Sequence, residues 1–219
     1  MSVGLILLSL VSVLVLFGAA QRVLDKMHLT DRAALLIAAA IFFGGLAPDI
    51  QVGRVAVNLG GAVVPLGVCV WLLIKADSRE EALRALLGSV LTGVAVFALS
   101  RLMPAEPEQI TLDPNYTYGI AGGLIAYLLG RSRRGALICG VLGVVLADTA
   151  TALINWQNGV NTTLRLGGAG AMDTVVISGL IAVLLAELVG ELLERMARPN
   201  QRVNGDMARS PLRKGGGNP

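Results

Sequence analysis

Charge is what this chain has least of. Only 15% of its 219 residues are Asp, Glu, Lys or Arg, where a soluble domain carries about 25%. With 54% hydrophobic residues and a mean hydropathy of +0.70, that shortage leaves no room for a sizeable soluble domain. The composition is that of a membrane protein. Cysteine is nearly as scarce. Cys69 and Cys139 both fall inside apolar segments, which excludes a disulfide framework and gives no metal-ligand spacing. They read as buried, reduced thiols. The single histidine, His28, stands in a basic loop beside the Thr30–Asp31 helix start and reads as solvated. No metal and no cofactor is expected. The net charge of +3 is small, and its basic residues sit in short loops and the tail. They mark topology, with the lipid bilayer as partner and no nucleic acid.

What the chain has in quantity is apolar sequence of near-spanning length. The runs are Val3–Ala20, Ala33–Ala47, Val55–Ile74, Ala82–Met103, Pro114–Gly130, Gly135–Ile154 and Ala171–Leu193. An all-α, polytopic bundle of about seven spans follows, with six or eight as the neighbouring counts. The second and fifth runs are short, and Gly119, Gly122 and Gly123 interrupt the fifth. Fifteen of the 18 basic residues lie in the first, third and fifth loops and after the last run. Only Arg54, Arg101 and Arg165 lie on the other side. That bias sets the N-terminus outside and the C-terminus in the cytoplasm. Met1–Gly4 has no basic n-region and Gly18-Ala19-Ala20 only loosely resembles a cleavage site. An N-out first helix therefore fits better than a cleaved signal peptide. Residues 1–195 form the transmembrane domain, and 196–219 read as a disordered basic cytoplasmic tail. The acidic stretch Pro104–Asp113 is an external loop.

Against this background two carboxylates stand out. Asp148 lies inside the sixth run, and Asp173 follows the glycine-rich Gly167-Gly168-Ala169-Gly170 at the start of the seventh. A carboxylate in a spanning segment costs about 2.5–3.5 kcal/mol on the mildest scale, which marks it as a functional candidate. Asp148 is thirteen residues past Gly135, about 20 Å along the helix and in its outer third. Thr151 and Asn155 share its helical face. The bland reading makes Asp148 an interhelical anchor paired with an Asn or with Arg54. For Asp173 the bland reading is a helix cap. Two carboxylates meeting on the outer side can share a proton. Such a pair serves aspartyl-type hydrolysis, cation coordination or proton coupling equally well.

Other residues could contribute to the same side. Arg54, Asn58, Gly60, Gly61 and Pro65 begin the third run, where small residues suit close helix packing. Gly168 and Gly170 permit close backbone approach or positive φ. The candidate catalytic residues are thus Asp148 and Asp173. The candidate binding residues are Arg54, Asn58, Thr151, Asn155, Gly168 and Gly170, with Asp49, Asn115 and Arg165 as a possible rim. Gly119 and Gly123 form a packing pair. Glu187, Glu191 and Glu194 make a stripe at the cytoplasmic end, where pairing with Arg131–Arg134 is the expected role. Asn115-Tyr-Thr and Asn161-Thr-Thr match glycosylation sequons but carry little weight.

The strings VNLGGAVVPL (57–66), GVLGVVLADT (140–149) and LGGAGAMDTVVISGLIAVLLAE (166–187) resemble a family of bacterial polytopic membrane proteins of unknown function. The resemblance spans roughly Gln21 to Glu191 and implies the bacterial cytoplasmic (inner) membrane. A looser likeness is to the GxGD intramembrane aspartyl proteases, the presenilin and signal-peptide-peptidase group. These place one catalytic Asp on the sixth span and one after Gly-x-Gly on the seventh. Here the stretch from Gly168 to Asp173 is two residues too long, Ala147 stands where a tyrosine precedes the first Asp, and no further spans supply a Pro-Ala-Leu element. Three readings follow: a diaspartyl intramembrane hydrolase acting on a membrane protein or small molecule, a small transporter or ion-coupled carrier, and a non-catalytic assembly protein. Each uses the same aspartates.

Overall fold

The computed structural model describes residues 29–102, 114–130 and 132–196. The expected first span, His28, the acidic loop 104–113, Arg131 and the tail beyond Met196 lie outside them. The chain divides into two compact units, Met1–Glu187 and Leu188–Pro219. The site lies wholly in the first, and the described part of the second, 188–196, is helical.

The architecture is mostly helical. Helix α1 (Asp31–Gly45) starts at Thr30, whose hydroxyl accepts from the Ala33 amide at 3.2 Å, and carries Asp31 in its first turn, as a helix N-terminus favours. A hairpin follows, β1 (Ile50–Val52) and β2 (Val55–Val57), turning through Gly53 at φ +60°. One π-helical turn, Leu59–Val63, then leads into α2 (Val64–Ile74). Helices α3 (Arg79–Leu102), α4 (Pro114–Gly130) and α5 (Arg133–Gln157) follow, with α5 packed along both α3 and α4. Strand β3 (Leu164–Leu166) and a 3-10 turn, Gly170–Met172, precede α6 (Thr174–Met196).

The sheet is the main departure from the all-α expectation. Its order is β1-β2-β3, antiparallel then parallel, with Val55 opposite Leu164 and Val57 opposite Leu166. The expected third span, Val55–Ile74, is therefore helical only from Leu59 onward. β-Branched Val55 and Val57 fit a pleated strand, and β3 supplies its ladder from more than a hundred residues away in sequence. In the other direction, the glycines of the fifth run do not break it: α4 is one continuous helix.

Three helices among the described residues are long and apolar enough to cross a membrane: Arg79–Leu102, Arg133–Gln157 and Thr174–Leu192. At 25 residues, α5 extends about 37 Å, against a hydrocarbon core of about 30 Å. The packing of α3 is inside-out by soluble standards. Ala85, Gly88, Ser89, Thr92 and Gly93 are buried, whereas Leu83, Leu87, Leu91 and Val94 are exposed. Small residues inward and large apolar ones outward is the pattern of a helix whose surroundings are themselves apolar.

Three backbone segments meet where α1 ends, the π turn begins and the glycine-rich stretch passes. A Cβ on Gly60 would lie 2.2 Å from the Ile41 oxygen, and one on Gly61 would lie 2.1 Å from the Gly167 oxygen. Only glycine fits there. Asn58 secures the junction: its Oδ1 accepts from the Gly60 and Gly61 amides, each at 3.0 Å. Its Nδ2 donates to the Ala47 oxygen and to Asp49 Oδ1, each at 3.1 Å.

At the opposite end of α5, buried Arg134 donates to the Lys75 oxygen at 2.9 Å and pairs with Asp77. Glu81 lies 3.9 Å from the same guanidinium and accepts from Ser132 Oγ at 3.1 Å. Arg133 pairs with Glu187, the role expected of that glutamate. Cys69 and Cys139 are free and buried.

Candidate functional site

The polar face expected on the sixth run is present on α5. Asp148, Thr151 and Asn155 line one cavity of about 580 Å³. Val96 and Ser100 of α3 form a second wall, and the segment from Thr162 to Ala169 forms a third. Asp173 and Thr174 close the ring at the head of α6. This third wall is held in place by Trp156, whose indole N–H donates to the Thr162 oxygen at 2.7 Å. Its base is pinned by β3, whose Leu164 amide donates to the Arg54 oxygen at 2.9 Å.

The two aspartates share this cavity but have different surroundings. Asp173 is tied to the backbone. Its Oδ1 accepts from the Val175 amide at 3.0 Å and its Oδ2 from the Ala169 amide at 3.3 Å. It caps α6 and clasps the glycine-rich turn at once, which is the cap function weighed for it from sequence. Asp173 stands just before the span Thr174–Leu192. Burial raises its pKa above the usual carboxylate range, the two amide hydrogen bonds pull it down, and the Asp49 charge pushes it up again. Asp148 has no such anchors. Among the described residues, no hydrogen bond or ion pair reaches its carboxylate. The expected pairing of Asp148 with an Asn or with Arg54 is therefore not formed.

The remaining candidates separate cleanly. Gly168 lines the cavity beside Asp173, and Arg165 lines it too. Asp49 stands near the rim, with its Oδ2 3.7 Å from where a Gly168 Cβ would be. Three others are not part of the lining. Asn58 is 2% exposed and consumed by the four hydrogen bonds that join the backbone junction. Arg54 occupies the hairpin turn with its residue exposed. Gly170, at φ +60°, is buried against Gly45. Asn58 and Gly170 are structural, because the backbone needs every polar atom of the one and the missing Cβ of the other. The side chain of Asn115 lies outside the described residues.

Sequence reasoning missed four hydroxyls on the cavity: Ser100, Thr162, Thr163 and Thr174. Ser100 ended an apolar run, Thr162 and Thr163 were visible only as part of a sequon, and Thr174 stood in the shadow of Asp173. The signal available was density of hydroxyl residues on both sides of one short loop. Among the described residues there is no cluster of three or more His, Cys, Asp or Glu placed to hold a metal ion.

A family described as "Protein of unknown function (DUF1614)" matches residues 6–185, most of the chain. No curated protein and no solved structure matches it.

Proposed function

We propose that this chain, which belongs to the DUF1614 family of proteins of unknown function, is a multi-pass carrier that binds a small cation or protonated solute at Asp148. The observation that carries the reading is the unlike state of two carboxylates on one cavity. Asp173 has both oxygens engaged by backbone amides, so it holds shape. Asp148 makes no hydrogen bond or ion pair among the described residues, although Arg165 also lines the cavity, so its carboxylate is open to a partner that enters the cavity. The head of α6 supports the same reading: Asp173, extended between the 3-10 turn and the helix, and Thr174, its first residue, both line the cavity.

In this reading the exposed leucines and valines of α3 face lipid. The chain crosses the bacterial inner membrane about seven times, N-out and C-in, with the cavity on the extracytoplasmic side and 196–219 as a basic tail. The ion pairs of Arg133 and Arg134 then hold the cytoplasmic end.

The test is thermal unfolding of the detergent-solubilised protein with sodium, potassium, choline, methylammonium and spermidine added in turn. One or more cations raises the midpoint of the wild type and leaves the Asp148→Asn midpoint where it was. An equal response from Asp148→Asn, or no response from wild type, overturns the proposal.

The second reading is the diaspartyl hydrolase, favoured by the presence of both aspartates on one cavity. Its demand is heavier. Each carboxylate must exchange hydrogen bonds with water and substrate during turnover, while Asp173 already serves two backbone amides. A fluorogenic transmembrane peptide cleaved by wild type, and by neither Asp148→Asn nor Asp173→Asn, would establish it.

A further inference from the structure

Two hydroxyls beneath the cavity have no use in the site as described. Thr92 of α3 and Ser178 of α6 are both 0% exposed, and neither Thr92 Oγ1 nor Ser178 Oγ has a hydrogen-bond partner. Their condition is unusual within these helices. Ser89, Thr149 and Thr151 each donate to the carbonyl four residues back, at 2.7, 2.7 and 2.9 Å, and Ser100 donates three back at 2.7 Å. That intrahelical bond is the ordinary resting place for a hydroxyl in an apolar helix. A buried polar atom that forgoes it calls for an explanation.

Position supplies one. A Cβ on Gly122 would lie 2.8 Å from Ser178 Oγ and 3.3 and 3.4 Å from the Cγ2 atoms of Val96 and Val144. Those two valines line the cavity, so the Ser178 hydroxyl sits directly behind its floor. Ser178 is also one turn below Thr174 on α6, which lines the cavity itself. Thr92 is one turn below Val96 on α3 and packs on Gly143, whose Cβ would lie 2.6 Å from Thr92 Cγ2. Ser178 and Thr92 thus each stand one helical turn from a cavity-lining residue, on α6 and α3. The missing side chain of Gly122 leaves the Ser178 hydroxyl its room, and that of Gly143 admits the Thr92 methyl and Cβ.

We infer that Ser178 and Thr92 form an inner station, a pair of hydroxyl oxygens that receives the hydrated cation or hydronium after Asp148, with Val96 and Val144 as the apolar step between. This rests on the carrier reading of the cavity. The oxygen lone pairs accept from water and from hydronium and ligate sodium by the same chemistry, so the source is for experiment to separate.

The experiment is cysteine accessibility in the full chain, reconstituted in vesicles, in a Cys69→Ala/Cys139→Ala background. Ser178→Cys is compared with Ile177→Cys, a neighbouring position that is also 0% exposed, using 2-aminoethyl methanethiosulfonate. Reaction needs a thiolate, which forms only in contact with water, so Ser178→Cys reacts about tenfold faster or more. Equal rates overturn the station. If sodium but not choline slows the labelling, the station takes sodium; if neither does, it takes water and hydronium. A second pair of substitutions guards against a folding failure: Ser178→Ala with Thr92→Val removes both oxygens and nearly preserves shape. This variant keeps the wild-type unfolding midpoint yet dissipates ion gradients about tenfold more slowly, because unpaired polar atoms contribute nothing to packing. Wild-type flux in that variant overturns the station. The two ideas fail separately. Fast Ser178→Cys labelling with an Asp148→Asn variant that binds cations normally sinks the carrier reading alone, and the reverse pattern sinks the station alone.

Discussion

Replacing Asn58 by alanine tests the structural reading of a residue that sequence reasoning placed among the binding groups. The side chain is 2% exposed and makes four hydrogen bonds: two accepted from Gly60 and Gly61, and two donated to Ala47 and Asp49. Asn58→Ala leaves two buried amides and a carbonyl without their partner. Each buried unsatisfied group costs about 1–3 kcal/mol. Taking the low end for all three, because neighbouring backbone can relax, the loss is about 3 kcal/mol. Asn58→Asp separates the halves of the bond set. It keeps the oxygen that caps the π turn, loses the two donated bonds, and puts a carboxylate beside Asp49. Its cost falls between those of wild type and alanine. The assay is equilibrium unfolding of the full chain by titrating SDS into mixed micelles, followed by helicity. If Asn58→Ala lies within about 1 kcal/mol of wild type, below even a single orphaned group, the junction does not depend on Asn58.

Two further predictions concern the same scaffold. Gly61→Ala, with its Cβ 2.1 Å from the Gly167 oxygen, forces backbone rather than side chain to move. It destabilises by about 3 kcal/mol, the top of the range for overpacking, in the same titration; a loss under about 1 kcal/mol would mean the three segments separate freely. The pH profile of stability reports Asp173. Its folded pKa is raised, so its contribution is fully present below the unfolded carboxylate value, and is lost as pH rises through the folded value. Asp173→Asn removes this dependence, and the wild-type minus variant difference has that sign; a difference that grows with pH would contradict it.

How far the sequence revealed the fold depends on which physical signal each part used. Apolar length and charge asymmetry are local, and the helices over 31–45, 79–102, 114–130, 133–157 and 174–196 fall close to the runs counted from sequence. The stripe Asp148, Thr151, Asn155 was legible for the same reason: helical period alone puts the three on one face. The sheet was not legible, because Val55–Val57 is as apolar as the helix it precedes and is committed to strand by β3, far along the chain. Asn58 looked like a ligand because a polar residue in an apolar run draws attention, yet its partners are the amides of its own π turn and the Ala47 oxygen and Asp49 carboxylate that follow α1. Gly168 and Gly170 occur two residues apart in one motif and end in different places, one facing the cavity and one against Gly45. Thr92 and Ser178 gave no signal at all. Hydroxyls are common in apolar helices, and only the absence of their usual carbonyl partner, a three-dimensional fact, distinguishes them.

The central claim is that Asp148 exchanges its partner with the cavity while Asp173 holds the cavity's shape. Its most direct test is dissipation of imposed proton, sodium and potassium gradients by the full chain in proteoliposomes, with unfolding midpoints measured on the same preparations. Wild type is expected to dissipate one or more of these gradients, and Asp148→Asn to lose that flux while unfolding at the wild-type midpoint. Flux that survives in Asp148→Asn, or a wild type that dissipates none of the three, would contradict the account.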